Sequence, residues 1–182
     1  MNKWNKQIEW IKKSDYIVRC LEETFAPNNA GNPMFTLKLE VAWPNTVVLP
    51  DGEEIIVAGI PLTTWCVVTS LTGTKNASPE EATANCHRRY LELRKTFELP
   101  YTTESEIDWN NPPGGFKGKL VYALIEDKED AERGAPSKED LAKGIKVGPI
   151  LLNPKTKLPL KVHYPEIKDF YGIAELPSNQ AF

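Results

Sequence analysis

The chain has 182 residues, with 22 Lys and Arg against 25 Asp and Glu, and a formal net charge of -3. Its 41% hydrophobic and 26% charged residues are those of a globular domain with a real core, which excludes a disordered tail or a fibrous repeat. No apolar run of about 18 residues reads as a membrane span, and the acidic balance argues against a general polyanion binder while leaving room for a local basic groove.

Residues 1–13 are polar and lysine-bearing, with Trp4, Ile8 and Ile11 at helical spacing. They read as an N-terminal arm or short helix, without the apolar core of a signal peptide. "DYIVRCLEETF" alternates with both faces fairly apolar, as in a strand covered along much of its length. "NNAGNPMFTLKLEV" follows: turn formers, then strict alternation of Phe35, Leu37, Leu39 and Val41 with polar residues. The two segments predict a hairpin-like pair with a connection over Ala26–Pro33.

Two short strands, Val47–Leu49 and Glu54–Ala58, are expected around a Pro50-Asp51-Gly52 turn. "TTWCVVTSLT" is a further strand, rich in β-branched residues. Ser78, Pro79 and Glu81 then have the spacing of an N-cap, a first helical residue and a capping box. The helix they open extends to about Phe97, with Ala82, Cys86, Tyr90, Leu93 and Phe97 as its apolar stripe. His87, Arg88, Arg94 and Lys95 read as its basic outer face. "KGKLVYALIED" is a strong strand, a hydrophilic excursion runs from Lys128 to Lys157, and "LPLKVHYPEIKDFYGI" holds the last strand. Within the excursion, Ser137 caps a turn or two of helix at "SKEDLAKG". Residues 174–182 form a tail without periodicity.

Strands precede and follow one central helix with no βαβ alternation. The fold class is mainly β, a small barrel or sandwich with an inserted α-helix and long loops. Cys20, Cys66 and Cys86 are odd in number and sit among apolar neighbours, which reads as reduced core thiols in an intracellular protein. No Cys/His spacing completes a zinc site, no phosphate loop is present, and no nucleophile has a paired base. No residue stands out as a catalyst, which leaves a nucleotide-processing enzyme as an open alternative, and no cofactor is called for.

Charge and aromatic residues interleave. Arg19 lies near Tyr16, Lys38 near Trp43, Lys117 and Lys119 near Phe116 and Tyr122, and Lys161 near Tyr164. Single-stranded nucleic acid is held by this pair of chemistries: cations neutralise phosphates and aromatic faces stack bases. The candidate phosphate contacts are Arg19, Lys38, Lys117, Lys119 and Lys161. The candidate stacking residues are Trp43, Trp65, Tyr122 and Tyr164. Each aromatic has the alternative of a core or rim position. A terminal aromatic, Phe182, has the form of a tail that docks in a partner's apolar pocket.

Four stretches taken in order carry a family resemblance: "SDYIVRCLEETFAPNNAGNPMFTLKLEV", "RRYLELRKTFELP", "FKGKLVYALIED" and "YPEIKDFYGI". They resemble the opening hairpin, connecting helix, Gly-Lys strand and closing segment of the bacteriophage single-stranded DNA-binding proteins. That resemblance implies an oligonucleotide-binding (OB) barrel over residues 14–173. It implies a non-catalytic protein that coats transient single strands during phage replication or recombination, in the host cell cytoplasm. Replication or recombination proteins would be recruited through the tail. "ELPSNQAF" departs from the family in lacking an acidic run, and the Lys128–Lys157 excursion is long for it. Homo-oligomerisation is left open, and a structural or adaptor β-domain with a protein partner is the alternative reading.

Overall fold

The computed structural model describes residues 14–48 and 52–172. The N-terminal arm, the centre of the Pro50-Asp51-Gly52 turn and the tail with Phe182 lie outside the described residues.

Alternation in "MFTLKLEV" places Phe35, Leu37, Leu39 and Val41 on one buried face of strand β2 (Pro33–Trp43). A strand with one apolar face needs partners that bury it. β1 (Ser14–Pro27) lies antiparallel on one edge of β2 and β5 (Pro61–Val67) on the other. β1 also pairs with β6 (Leu120–Ala131), and β7 (Lys161–Tyr171) completes the five-stranded order β5-β2-β1-β6-β7. The short strands β3 (Thr46–Val48) and β4 (Glu54–Ile56) form a separate hairpin between β2 and β5. Helix α1 (Pro79–Thr96) joins the third barrel strand to the fourth. The result is an OB-fold-like small β-barrel with an inserted helix, as the sequence predicts.

The described residues fall into two compact units, 14–125 with 167–172 and 126–166. In the first, Tyr16, Val18, Cys20, Leu62, Val121 and Ile125 join the β2 residues in the core. Each such side chain contributes about 1.5–3 kcal/mol through burial. On β5, Val67 stands opposite Met34 on the outer face, and Cys66 and Val68 point inward. Helix α1 starts where the caps place it: the Ser78 hydroxyl accepts from the Glu81 N–H at 3.2 Å and the Glu81 carboxylate accepts from the Ser78 N–H at 3.0 Å. Its Tyr90 ring stacks on Phe35 at 5.7 Å, and Phe97 meets Phe116 edge-on at 5.4 Å.

Arg94 is not on a basic outer face. It is 1% exposed and donates to the carbonyls of Pro100, Tyr101, Pro113 and Gly114 and to the Tyr90 hydroxyl. This guanidinium ties the helix to the long 97–116 connection. His87 is also withdrawn: its ring lies on Trp109 at 3.4 Å, with an interplanar angle of 5°.

In the second unit, β6 continues as paired strand through the acidic run to Ala131, so the excursion begins later, at Glu132, and ends at Leu160. Helix α2 (Lys138–Ala142) is capped by Ser137 as predicted. Cation–carboxylate pairs hold the charged strand ends, Lys128 to Glu166 at 3.0 Å and Lys161 to Glu129 at 2.5 Å. No helix among the described residues is long and apolar enough to cross a membrane.

Candidate nucleic-acid interface

The outer face of β1, β2 and β5 is built by the same alternation that fills the core. With Leu37 and Leu39 inward, Thr36, Lys38 and Glu40 must point outward. A bulge at Cys20/Glu22 resets β1 so that Glu22 stands opposite Lys38 and Thr24 opposite Thr36. On the other side Thr63 faces Lys38 and Trp65 faces Thr36. Lys38 and Trp65 are therefore diagonal neighbours on one exposed surface, within reach of long side chains. Trp65 is 62% exposed, high for an indole on a barrel strand.

The cations on this face are not bare. The Lys38 ammonium donates to Glu22 at 2.8 Å, and Arg19 lies 3.7 Å from Glu40. The hydrogen bond from Lys38, then its charge, holds the Glu22 carboxyl below the usual carboxylate range, and Lys117 acts in the same direction. Lys38 and Lys117 therefore both act on Glu22. Among the described residues Lys117 and Lys119 have no ion pair.

The 115–119 turn that carries these lysines is fixed by the chain itself. The Glu23 carboxylate accepts from the successive N–H groups of Gly115, Phe116 and Lys117, at 2.6–3.2 Å. Gly118 donates to the Cys20 carbonyl and Cys20 to the Lys119 carbonyl, which seats the turn beside the β1 bulge. A side chain at Gly114 would meet the Glu23 carboxylate and push it out of this turn. The β1–β2 loop is shorter than the predicted Ala26–Pro33, because both strands pair up to Pro27 and Pro33. The Asn28 side chain closes what remains, accepting from the N–H groups of Ala30 and Asn32.

The predicted set divides. Arg19, Lys38, Lys117, Lys119 and Trp65 are exposed in the first unit, and the first two share one sheet face with Trp65. A second bulge, at Ile17/Val18, sets Trp43 opposite Ile17, 43% exposed at the end of β2, next to a cis Trp43–Pro44 bond. Tyr122 is 1% exposed and cannot offer a ring to a base; both faces of β6 are covered there, since Val121 and Ala123 are buried too. Lys161 belongs to the second unit, where Glu129 holds it. The side chain of Tyr164 and all of Phe182 lie outside the described residues.

One further cation is not among the sequence-predicted set. Arg89 projects from α1, exposed and without an ion pair among the described residues, and lines a cavity with Trp65. The sequence does carry a signal for it, since Arg89 falls off the Ala82–Phe97 stripe. Arg94, more than a turn further on, carries a similar signal and is buried.

No three His, Cys, Asp or Glu side chains among the described residues gather as metal ligands. The thiols are free, with Cys20 and Cys66 buried and Cys86 half-buried. No family model, curated protein or solved structure matches the chain.

Proposed function

We propose that the chain is a non-enzymatic, sequence-tolerant single-stranded DNA-binding protein of the bacteriophage type, acting on transient single strands in replication or recombination in the host cell cytoplasm. The observation that carries this reading is the juxtaposition of Lys38 and Trp65 on the outer face of the second and third barrel strands. That is the face on which OB folds take oligonucleotides. Arg19, Lys38, Lys117 and Lys119 contact phosphates, and Trp65 and Trp43 stack bases at the two ends of the face. Along β2 the positions of Thr36 and Trp43 are about 23 Å apart, enough for several nucleotides. Glu22 and Glu40 keep the cations extended and oriented until phosphate replaces them.

The test is a labelled oligonucleotide titrated with the native chain and with Trp65→Ala. Trp65 is exposed, so the variant keeps its fold, and the loss of one stacking partner weakens binding by about 1–3 kcal/mol. Equal affinity of the two proteins removes Trp65 from the site.

A protein partner is the second reading, and one observation favours it. The 126–166 unit exposes Leu141, Ile145, Val147, Ile150, Leu152 and Leu158, between 42% and 65% each. These six fall within residues 141–158, which makes that segment the candidate contact surface of this reading. Binding of a protein through this unit is compatible with DNA binding through the other.

A further inference from the structure

The barrel has a seam. β5 is joined to β2 along one edge, and no described strand pairs with its other edge. Beside that free edge lies a cavity of about 380 Å³, bounded by Thr64, Trp65 and Cys66 of β5, Arg89 and Thr96 of α1, and Asp169 of β7. The volume is near the lower end of the roughly 300–1,000 Å³ of small-ligand pockets.

The lining has the chemistry of a nucleotide site. Trp65 supplies a flat apolar face that is also part of the β2–β5 surface. Arg89 supplies a planar cation that forms no ion pair among the described residues, unlike Arg19 and Lys38, although the Glu92 and Asp169 carboxylates line the same cavity. The hydroxyls of Thr64 and Thr96, the Asp169 carboxylate and the unpaired strand edge present both donors and acceptors. A base edge carries both kinds of group and can pair with their remaining capacity; the Thr96 hydroxyl already donates to the Glu92 carbonyl, and Asp169 accepts from the Phe170 N–H.

We infer that this seam is a single-nucleotide subsite. One base turns off the sheet face across Trp65 and enters the seam, Arg89 takes its phosphate, and the polar lining meets its edge. The subsite rests on the proposed single-strand binding and adds to it a base preference in an otherwise sequence-tolerant protein.

Fluorescence anisotropy with equal-length labelled dT, dC and dA homo-oligomers tests it, using the native chain, Arg89→Ala and Arg89→Lys. Arg89 is exposed, and thermal unfolding checks that both variants stay folded. The native chain is expected to separate its best and worst homo-oligomer by at least about fivefold. Arg89→Ala is expected to lose most of that separation, and Arg89→Lys, which keeps charge without the planar fork, to retain part of it. Three homo-oligomers bound equally by the native chain overturn the subsite while single-strand binding stands. So does an Arg89→Ala loss that is equal on all three with the preference intact, which makes Arg89 a plain phosphate contact. A dimer on sizing chromatography that Arg89→Ala breaks gives the seam to a second copy and also overturns it. Absence of binding to any oligomer is a different result, and removes the function with the subsite.

Discussion

Arg94 is a buried guanidinium that no carboxylate balances among the described residues. Carbonyl oxygens at the end of α1 and in the 97–116 connection absorb its donors. Replacing it leaves those acceptors without partners in a water-poor site, at about 1–3 kcal/mol each. Arg94→Met should therefore lower unfolding stability by about 3 kcal/mol or more in urea titration, while every side chain of the outer face stays in place. The thiols make a second prediction at this scale. Burial pushes the Cys20 and Cys66 thiols up to about 11, from an ordinary value of 9.0. Between pH 9 and 11 the unfolded chain has released these protons and the folded chain has not. Folded stability accordingly falls as pH rises through that window, and is unaffected by these groups below it. A Tm series from pH 8 to 11 should show the fall, and Cys66→Ala should make it shallower. Arg94 also marks where residue identity stops being legible in sequence. Arg88, Arg89, Arg94 and Lys95 look alike in a polar helix pattern, and only the carbonyls brought in by the 97–116 connection select Arg94 for the interior. Tyr122 and Trp65 are the parallel case among aromatics: each lies on a predicted strand, but one strand is covered on both faces and the other on one.

Among the elements, α1 owes its start to local chemistry. Ser78→Ala removes the hydroxyl that accepts from the Glu81 N–H, and should cost about 1 kcal/mol. Chemical denaturation reads that loss, and an unchanged midpoint would mean that tertiary contacts alone hold the first turn. Caps of this kind, and the alternation of β2, are legible because the signal lies within a few residues. The far half of β6 is not legible. "EDKEDA" has no apolar period and reads as solvated loop, yet it pairs as strand. Its charges are what the pairing uses: Lys128 meets Glu166 and Glu129 meets Lys161. Opposite charges across strands stabilise a ladder without leaving a hydrophobic trace in either segment. The bulges at Cys20/Glu22 and Ile17/Val18 are hidden for a related reason. Each inserts one residue, which resets the faces beyond it: the first brings Glu22 opposite Lys38 and the second brings Trp43 opposite Ile17.

Over the molecule as a whole, an acidic chain carries Arg19 and Lys38 beside Glu22 and Glu40 on the outer sheet face, and Lys117 and Lys119 on the turn that the Glu23 carboxylate holds. Net charge therefore says little about the ligand; the distribution of charge over the barrel says more. The OB-like order is legible because each barrel strand and the connecting helix has its own local signature. The seam is not, because it is defined by a pairing that β5 lacks among the described residues. If this face holds single strands through phosphates and stacked bases, its affinity must depend on salt and on strandedness together. Anisotropy of a labelled single strand and its duplex, titrated with the native chain over a range of salt concentrations, reads both. With about four phosphates neutralised, log affinity for the single strand should fall against log salt with a slope of roughly -3, and the single strand should bind more tightly than the duplex throughout. A flat salt dependence, or equal affinity for single strand and duplex, would rule out single-strand binding by this face.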